Sequence, residues 1–456
     1  MNPHLPFDEL REACGVVAVY HEAAAVPLAH RALFELQHRG QEGAGIVSID
    51  DAGTHHVAKG RGLIAEALPV HRIEGMPGDR AIGHCRYSTV GLDENIQPFL
   101  ANTPYGRVAI AHNGNIKNAD DLRDELEADG ALVSTTLDTE LLVHLIARSR
   151  APDFAAALQH MAAAAVGAYS LTMFCDGRIY ALRDPNGLRP LVLGEIKGGW
   201  VIASETCALE VLRAADVRQI EPGELVTIGP EGVETRQLLK PAALAPCVFE
   251  LVYFARPNST VFGQGVNEAR TRMGEELARA DAAAGFRADV VVPVPDSGVP
   301  AAIGYSRGSG LPYEKAILRS HYVGRTFILP DQDARTSQIE LKLSVVRQAV
   351  AGKRVVLVDD SIVRGNTSMQ IVKMIREAGA SGVALRVASP PIAWPCFMGI
   401  DTPRREELAI NREGSPAGVA AAIGVDDLAY LSAEALRRAA GGGEHCMACM
   451  TGEYPI

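Results

Sequence analysis

Two adjacent carboxylates, Asp359 and Asp360, follow a short apolar segment and precede a loop rich in glycine and hydroxyl groups. The loop leads into residues 369–378, whose apolar positions have helical spacing and end before Gly379. Free N–H groups and the positive dipole end at a helix N-terminus favour phosphate. Carboxylates beside such a site suit ribose hydroxyls or a Mg²⁺ bound to pyrophosphate. The stretch therefore indicates a ligand with a sugar, phosphates and a metal ion.

The alternative interpretation is an ordinary strand-to-helix turn with acids that serve solubility or capping, which is about as common for a generic pair of aspartates. The Gly365-x-Thr367-Ser368 ending favours the ligand loop. Residues 354–368 resemble the loop of type I phosphoribosyltransferases that binds PRPP (5-phosphoribosyl 1-diphosphate). The resemblance implies a Mg²⁺ bound by Ser297, Asp359 and Asp360, and PRPP contacts from Arg319, Lys342, Asp359, Asp360, Ser361, Arg364, Gly365, Thr367 and Ser368.

Cys14 is the second candidate for chemistry. A lone cysteine at the start of a strand is usually a small buried hydrophobe. The segments around it and further along the chain change that expectation, because five of them, in this order, resemble the glutaminase domain of the N-terminal-nucleophile amidotransferases. They are Cys14-Gly-Val-Val-Ala-Val, His38-Arg-Gly-Gln-Glu-Gly-Ala-Gly, Gly83-His-Cys-Arg-Tyr-Ser-Thr, Ala111-His-Asn-Gly-Asn and Leu137-Asp-Thr-Glu.

The resemblance implies that residues 1–13 are a propeptide, whose removal leaves Cys14 as the first residue. An α-amino group has a pKa near 8 and can accept the thiol proton, so no histidine base is needed. Cys14 then attacks the glutamine carboxamide, forms a thioester and releases ammonia. The same resemblance assigns the oxyanion hole to the side-chain amide of Asn113 and the N–H of Gly114.

Glutamine itself is expected to bind through its charged ends. By the resemblance, Arg86 binds the α-carboxylate and Asp138 the α-ammonium. Taken alone, Asp138 reads as a helix N-cap and the Asn113-Gly114 pair as a tight turn. Leu137 stands where the family usually has serine, which we expect to alter packing beside the pocket without changing the ion pair.

The chain from Cys14 to about Pro455 resembles the amidophosphoribosyltransferase family. It contains eight cysteines, four of which are relevant to a subgroup of that family. Only Cys446 and Cys449 are closely spaced, and spacing alone favours zinc or no metal. In the subgroup that carries a propeptide, matching cysteines ligate a [4Fe–4S] cluster with a structural or oxygen-sensing role. The resemblance therefore implies a cluster on Cys247, Cys396, Cys446 and Cys449.

The N-terminal half must supply the elements that position Cys14. The predicted order is strands, then helices, then strands again, which suggests sheets packed between helical layers. We predict an α+β fold with four layers (αββα) for a class II glutamine amidotransferase domain at 14–240. The predicted strands are 15–20, 46–49, 81–87 and 108–112, with more over 169–228, and the helices are 27–37, 120–127, 138–148 and 154–165.

A proline- and glycine-rich stretch at 229–246 reads as a connector. The C-terminal half then alternates helices and strands, which predicts an α/β domain at 241–456 with a mostly parallel sheet and ligands at the carboxyl ends of the strands. The predicted helices are 267–284 and 299–307, and the strands are 290–294, 316–318, 355–358 and 383–388.

Two loops beside these strands depart from the family or are expected to move. Arg319-Ser-His321 replaces the usual Lys-Asn-Arg, so the charge at His321 depends on pH. The polar segment 331–342 is expected to close over PRPP, exclude water and complete a route for ammonia, with Lys342 reaching a phosphate.

Composition sets the remaining expectations. The 456 residues are 47% hydrophobic and 22% charged, typical of a globular protein with two domains. A net charge of −11 argues against nucleic acid or an anionic membrane as the main partner. No apolar run of membrane-spanning length and no secretory signal are visible, so the cytoplasm is expected.

The leading hypothesis is an enzyme that transfers ammonia from glutamine to C1 of PRPP, giving 5-phosphoribosylamine at the first committed step of purine synthesis. The family implies a homotetramer with feedback inhibition by purine nucleotides. One alternative is a PRPP-sensing regulatory protein with a vestigial glutaminase half, against which the intact Cys14, Arg86 and Asn113 argue. The other is an amidotransferase for a different sugar phosphate, which conflicts with the loop at 359–368.

Overall fold

The computed structural model describes residues 14–21, 23–86, 95–320, 343–400 and 402–456. The N-terminal half contains two antiparallel sheets. Its strands are β1 (Gly15–His21), β2 (Gly43–Ile49), β3 (His55–Arg61), β4 (Arg80–Arg86), β5 (Phe99–Thr103), β6 (Gly106–Ile116), β7 (Gly167–Cys175), β8 (Arg178–Arg183), β9 (Val192–Ile196), β10 (Gly199–Ala203), β11 (Ala215–Gln219), β12 (Glu224–Gly229) and β13 (Gly232–Gln237).

One sheet has the order β11-β9-β10-β1-β4-β2-β3, and the other has the order β13-β12-β8-β7-β6-β5. Along β1, Val16 and Ala18 point between the sheets, whereas Val17 and Val19 pack toward the outer helix. Both faces are thus buried, and the predicted αββα layering is confirmed. The helices are Ala25–Glu35, Ile64–Ala67, Val70–Ile73, Ala119–Ala128, Asp138–Arg148, Phe154–Ala164 and Thr206–Glu210, with a 3₁₀ turn at Gln37–Arg39.

The C-terminal half is built on a parallel sheet in which β16 (Val290–Pro293), β19 (Arg354–Asp359), β20 (Gly382–Val387) and β21 (Asp427–Tyr430) are neighbours in that order. In β19, Val356 and Val358 contact one core and Val355 and Leu357 the other. Burial on both faces explains the continuous apolar run in the sequence.

Helices cover both faces of this sheet, which confirms the predicted α/β architecture. A π-helix, Glu250–Phe254, lies where the two halves meet. The α-helices are Val266–Ala283, Val299–Ser309, Arg347–Val350, Asn366–Glu377, Ala409–Glu413, Pro416–Ile423, Ala433–Ala439 and Ala448–Thr451, with a 3₁₀ turn at Arg405–Glu407 and a short hairpin of β14 (Thr260–Val261) and β15 (Gln264–Gly265).

Two elements differ from the sequence prediction. The strand expected at 316–318 is β17 (Ile317–Arg319), which pairs antiparallel with β18 (Leu343–Val345) in a separate ribbon. The stretch expected to be a connector from 229 begins as a hairpin, because Gly229 pairs with Gly232. Glycine and proline mark a tight turn as readily as a linker.

Several predictions lie outside the described residues. They are the propeptide at 1–13, the Tyr87-Ser-Thr end of one glutaminase segment, His321, and the segment 331–342 with Lys342. Among the described residues, no helix is both long enough and apolar enough to cross a membrane.

Candidate active sites

The glutaminase site begins where β1 starts and β4 ends. Gly15 pairs with Cys85, so Arg86 lies beside Cys14 at the ends of these two neighbouring strands. Burial lowers the pKa of Arg86, and the charges of Cys14, Glu42 and Asp138 oppose that shift. Cys14 and the predicted ligands of the glutamine α-carbon groups, Arg86 and Asp138, therefore lie within electrostatic range of one another.

The opposite sheet contributes Asn113 and Gly114 from β6. Asn113 is fully buried, and neither its Nδ2 nor its Oδ1 has a hydrogen-bond partner within the described residues. A buried polar group without a partner costs about 1–3 kcal/mol. Gly114 has φ of +152°, and a Cβ there would lie 2.0 Å from the carbonyl oxygen of Ala168. Only glycine fits that position, and the buried amide of Asn113 remains available to a ligand.

Asp138 is the first residue of its helix and accepts a hydrogen bond from the N–H of Ile116 at 3.1 Å. His112 Nδ1 lies 3.4 Å from the other carboxylate oxygen. Burial alone would lower the pKa of His112, but Asp138 more than offsets this and raises it. Burial would also raise the pKa of Asp138, yet the charge of His112 holds it below its ordinary value. Asp138 is therefore kept as a carboxylate.

The departure at Leu137 has a structural counterpart. Leu137 is the N-cap of the Asp138 helix and makes no capping hydrogen bond through its side chain. Glu140 instead accepts hydrogen bonds from the backbone and hydroxyl groups of Ser134 and Thr135, at 2.6 to 2.9 Å. These contacts fix the loop that precedes the helix.

Arg39 was not predicted as a functional residue, although it belongs to the His38-Arg-Gly motif. Its side chain is fully buried, and its Nε donates to the backbone carbonyl of Cys14 at 3.2 Å. Its Nη atoms donate to Glu205 at 2.6 Å and to Glu250 at 2.8 and 2.9 Å. Because Glu250 begins the π-helix, this network joins the nucleophile to the C-terminal half.

Most of the predicted PRPP residues surround one cavity at the carboxyl end of β19. It contains about 580 Å³, including space open to solvent. The helix Asn366–Glu377 starts after Gly365, whose φ is +86°. The cavity lining includes Ser297, Asp359, Asp360, Ser361, Gly365, Thr367 and Ser368, so the structure brings together seven of the predicted PRPP and Mg²⁺ residues.

Two predicted PRPP residues point to other partners. Arg364 donates to Glu407 at 2.8 Å, and Arg319 donates to Asp296 at 3.3 Å. Neither arginine is among the described residues that line the cavity. Both pairs are partly solvent-exposed, and exposed ion pairs contribute little free energy.

The four cysteines predicted to bind a cluster also converge. Cys446 donates through its N–H to Pro246 at 2.9 Å, and Val248 donates to Cys446 at 3.2 Å, which ties the connector to the C-terminus. Burial raises the pKa of Cys449, and the neighbouring Cys396, Cys247 and Cys446 raise it further. The remaining three described cysteines beyond Cys14 lie buried in the N-terminal half: Cys85, Cys175 and Cys207.

No three His, Cys, Asp or Glu side chains of the described residues are arranged around a single metal ion. Zinc bound by cysteines sits about 2.3 Å from each sulfur, which requires a tight arrangement. The four cysteines instead lie near one another without that geometry, with Cys247 and Cys449 buried and Cys396 and Cys446 half-buried.

Comparison with known proteins gives a family for this arrangement. A family profile described as glutamine amidotransferase domain matches residues 84–211. The chain is 45% identical to amidophosphoribosyltransferase of Archaeoglobus fulgidus, over 97% of this chain and 98% of that protein. It is 44% identical to amidophosphoribosyltransferase of Bacillus subtilis, over 98% of this chain and 94% of that protein.

The chain belongs to the amidophosphoribosyltransferase family.

Solved structures agree with this membership of the amidophosphoribosyltransferase family. One, described as the allosteric regulatory enzyme of purine biosynthesis, superposes with a TM-score of 0.92 at 43% identity, covering 97% of this chain and 96% of that one. Another is the glutamine PRPP amidotransferase from B. subtilis complexed with ADP and GMP, with a TM-score of 0.91 at 43% identity and coverage of 97% of both chains. The predicted two-domain fold class is therefore confirmed.

The Arg39 network matters for this family, because amidophosphoribosyltransferases couple two reactions and the network joins the two halves of the chain. His38 Nε2 lies 2.7 Å from Glu205, so two basic side chains share this carboxylate. Sequence reasoning missed Glu205 and Glu250 because a buried ion pair between residues far apart in the chain has no local pattern. The available signal was the pair of adjacent basic residues, His38 and Arg39, at the start of an otherwise glycine-rich motif.

Proposed function

We propose that this chain catalyses the glutamine-dependent formation of 5-phosphoribosylamine from PRPP, the first committed step of purine synthesis. Glutamine, PRPP and water give 5-phosphoribosylamine, pyrophosphate and glutamate. The glutaminase site lies in residues 14–240 and the PRPP site in residues 241–456. Ammonia passes from the first site to the second.

In the first half-reaction, the free amino group of Cys14 accepts the thiol proton once residues 1–13 have been removed. The sulfur attacks the carboxamide carbon, and collapse of the tetrahedral intermediate breaks the C–N bond and expels ammonia. Water then hydrolyses the thioester to glutamate. Arg86 binds the α-carboxylate through its planar fork, and Asp138 binds the α-ammonium.

The observation that carries this proposal is the amide of Asn113, fully buried and without a partner among the described residues. Its Nδ2 and the N–H of Gly114 donate to the oxygen that becomes negative during attack. Donors held in place before the reaction stabilise that charge without reorganisation. A vestigial glutaminase would have no need to retain this uncompensated group.

In the second half-reaction, ammonia attacks C1 of PRPP and displaces pyrophosphate. The N-terminus of the helix Asn366–Glu377 and the hydroxyls of Ser361, Thr367 and Ser368 bind the 5-phosphate. Asp359 and Asp360 bind the ribose hydroxyls. Arg319, Arg364 and Lys342 are proposed to contact the phosphates after closure of the neighbouring loops.

The residues present suit a Mg²⁺ ion, because the oxygen donors Ser297, Asp359 and Asp360 line the same cavity. When bound there, Mg²⁺ neutralises charge on the departing pyrophosphate. The sequence of the loop and the cavity lining both support this assignment.

Cys247, Cys396, Cys446 and Cys449 suit a [4Fe–4S] cluster as a donor set of four thiols that lie near one another. Met398 N–H donates to Cys396 Sγ at 3.3 Å, a contact that stabilises a thiolate ligand. These four thiolates would hold the cluster when it is bound. We propose a structural or oxygen-sensing role for it.

The enzyme is further proposed to be a cytoplasmic homotetramer, inhibited by purine nucleotides and without nucleic-acid or membrane partners. Similarity to the B. subtilis protein, whose structure contains ADP and GMP, supports nucleotide regulation. The plant relatives are described as chloroplastic, at 45% identity for Arabidopsis thaliana, so compartment varies among similar proteins.

The test is glutamate release from glutamine by anaerobically purified protein, with and without PRPP and Mg²⁺. We expect release to rise strongly when both are present, together with pyrophosphate in equal amounts. PRPP binding without glutamate release, in protein shown to lack residues 1–13, would support the regulatory alternative. Release that is indifferent to PRPP would point to a different sugar phosphate as acceptor.

A further inference from the structure

Arg189 lies between two of the four cysteines, although it comes from the N-terminal half. The carbonyl of its neighbour Leu188 accepts the N–H of Cys247 at 3.1 Å. Its own Nε donates to the carbonyl of Met398, two residues after Cys396, at 3.0 Å. The Arg189 segment thus contacts the chain at two of the four cysteines, through the Leu188 carbonyl at Cys247 and through its own guanidinium beside Cys396.

The Arg189 side chain is fully buried, and its Nη1 donates to Glu250 at 3.0 Å. Its Nη2 is also buried and has no hydrogen-bond partner within the described residues. Cys247 and Cys396 lie within electrostatic range of the guanidinium. The Nη2 of Arg189 is therefore an unused N–H donor on a permanent cation, beside the four-cysteine site.

The charge on Glu250 does not satisfy this donor. Glu250 already accepts both Nη atoms of Arg39, at 2.8 and 2.9 Å, in addition to Nη1 of Arg189. A buried guanidinium with an unmet donor is costly unless an anion or acceptor completes its surroundings. A [4Fe–4S] core with four thiolates is an anion overall, and its sulfur atoms accept hydrogen bonds.

We infer that Arg189 is a positioning residue for the four-cysteine site, donating through Nη2 to a sulfur of the bound cluster and balancing its negative charge. This inference rests on one part of the proposed function, the [4Fe–4S] cluster, and not on the proposed reaction. It assigns to the glutaminase half a residue that retains a group ligated entirely by cysteines of the other half. Loss of Arg189 should therefore release the cluster, not merely loosen the domain contact.

The experiment compares full-length wild type with Arg189→Met and Arg189→Lys, all purified anaerobically. Iron and sulfide are measured per chain, and iron release to a chelator is followed by absorbance. Removing an outer partner of a metal site typically weakens retention 10- to 100-fold. We expect release about 10-fold faster or more in Arg189→Met, with partial rescue in Arg189→Lys, and a cluster that becomes harder to reduce without the nearby positive charge.

Two controls separate this role from a general loss of stability. Arg386→Met removes another buried arginine, which contacts Asp281 and Asp427, and should leave iron release unchanged. The double variant Arg189→Met with Glu250→Gln removes the charge of the carboxylate that has lost one of its two arginine partners, and fast release should persist in it.

The outcomes distinguish the two proposals. Wild type that contains no iron after anaerobic purification overturns both the cluster and the role of Arg189. Iron-loaded wild type with unchanged release and an unchanged reduction potential in Arg189→Met overturns the role of Arg189 alone. Slow release restored by Glu250→Gln would also overturn it, since the defect would then come from the altered charge balance at Glu250 and not from the lost donor to the cluster.

Discussion

The two candidate sites of this enzyme are prepared for their substrates to different degrees. Around Cys14, the side chains predicted from the sequence are held by two sheets, and Asn113 is fixed with its amide unoccupied by the described residues. Around Asp359 the cavity is open to solvent, and Arg319 and Arg364 contact carboxylates outside it.

The difference follows from the charge that each site must stabilise. An oxyanion on glutamine exists only during the reaction, so its donors must be in place beforehand. PRPP carries its charge permanently and can draw arginines away from weak surface ion pairs as it binds. A preorganised site and a site completed by its ligand should respond differently to substitution.

The largest effect should come from Asn113→Ala. Removing one oxyanion donor typically lowers kcat by about 10²- to 10³-fold. We expect that loss for glutamine-dependent synthesis, measured as phosphoribosylamine formation, whereas synthesis from added ammonia should change little. Thr172→Val is the matched control, because Thr172 on β7 also has a buried hydroxyl without a partner in the described chain. A large loss with ammonia as well would contradict the division between the two sites.

Gly399→Ala should have the next largest effect, although Gly399 lies in the C-terminal half. A Cβ there would be 2.8 Å from the carbonyl carbon of Gly114 and would push the oxyanion strand. Small misplacements of catalytic groups can cost up to about 100-fold, so we expect a loss of about 10-fold in kcat with glutamine. Gly442→Ala is the control, since its φ of +79° is also positive but a Cβ there meets no atom within 4 Å. Equal losses in both variants would attribute the effect to backbone strain.

A smaller change, of opposite sign, is expected at the PRPP site from Glu407→Gln. Losing the carboxylate frees Arg364 for a phosphate, and exposed pairs are worth up to about 1 kcal/mol, or about fivefold in affinity. We expect the KM for PRPP to fall two- to fivefold (an order-of-magnitude range) in the ammonia-dependent assay. Glu231→Gln, which breaks a solvent-exposed pair with Arg178 in the N-terminal half, should leave that KM unchanged. A raised KM in Glu407→Gln would show that the pair positions Arg364 instead.

The smallest effect concerns pH. Burial would raise the pKa of Glu205, but His38 and Arg39 more than offset it and hold the pKa far below its ordinary value of 4.5. The stability from this carboxylate is therefore present above about pH 4.5 and lost as pH falls through the folded pKa. Glu205→Gln should flatten the pH dependence of the unfolding free energy below pH 4.5, by at most about 1.4 kcal/mol per pH unit.

Glu407→Gln serves again as the comparison for that measurement. Arg364 also lowers the pKa of Glu407, but this pair is exposed and solvent screens it. Chemical denaturation at several pH values should show a clear change of slope for Glu205→Gln and little for Glu407→Gln. Identical slopes in wild type and Glu205→Gln would contradict the assigned pKa.

Much of the fold could be predicted from the sequence because its signals are local. The run around Val356 specified a strand buried on both faces, and the helix Asp138–Arg148 was predicted with its observed bounds. The antiparallel pairing of Ile317–Arg319 with Leu343–Val345 was not predicted, because the sequence of a short apolar strand does not indicate its partner strand. The roles of the predicted site residues remain predictions for the experiments above.

The sequence by itself determined the order of the elements, the family motifs and the residue types available at each site, because these depend on spacing along the chain. Only the tertiary structure decided that Arg39 bonds the carbonyl of Cys14 and two distant carboxylates, and that Arg189 lies among cysteines of the other half. Such contacts depend on how two sheets and a π-helix pack in space. Their energies arise from burial and charge between residues that no local pattern connects.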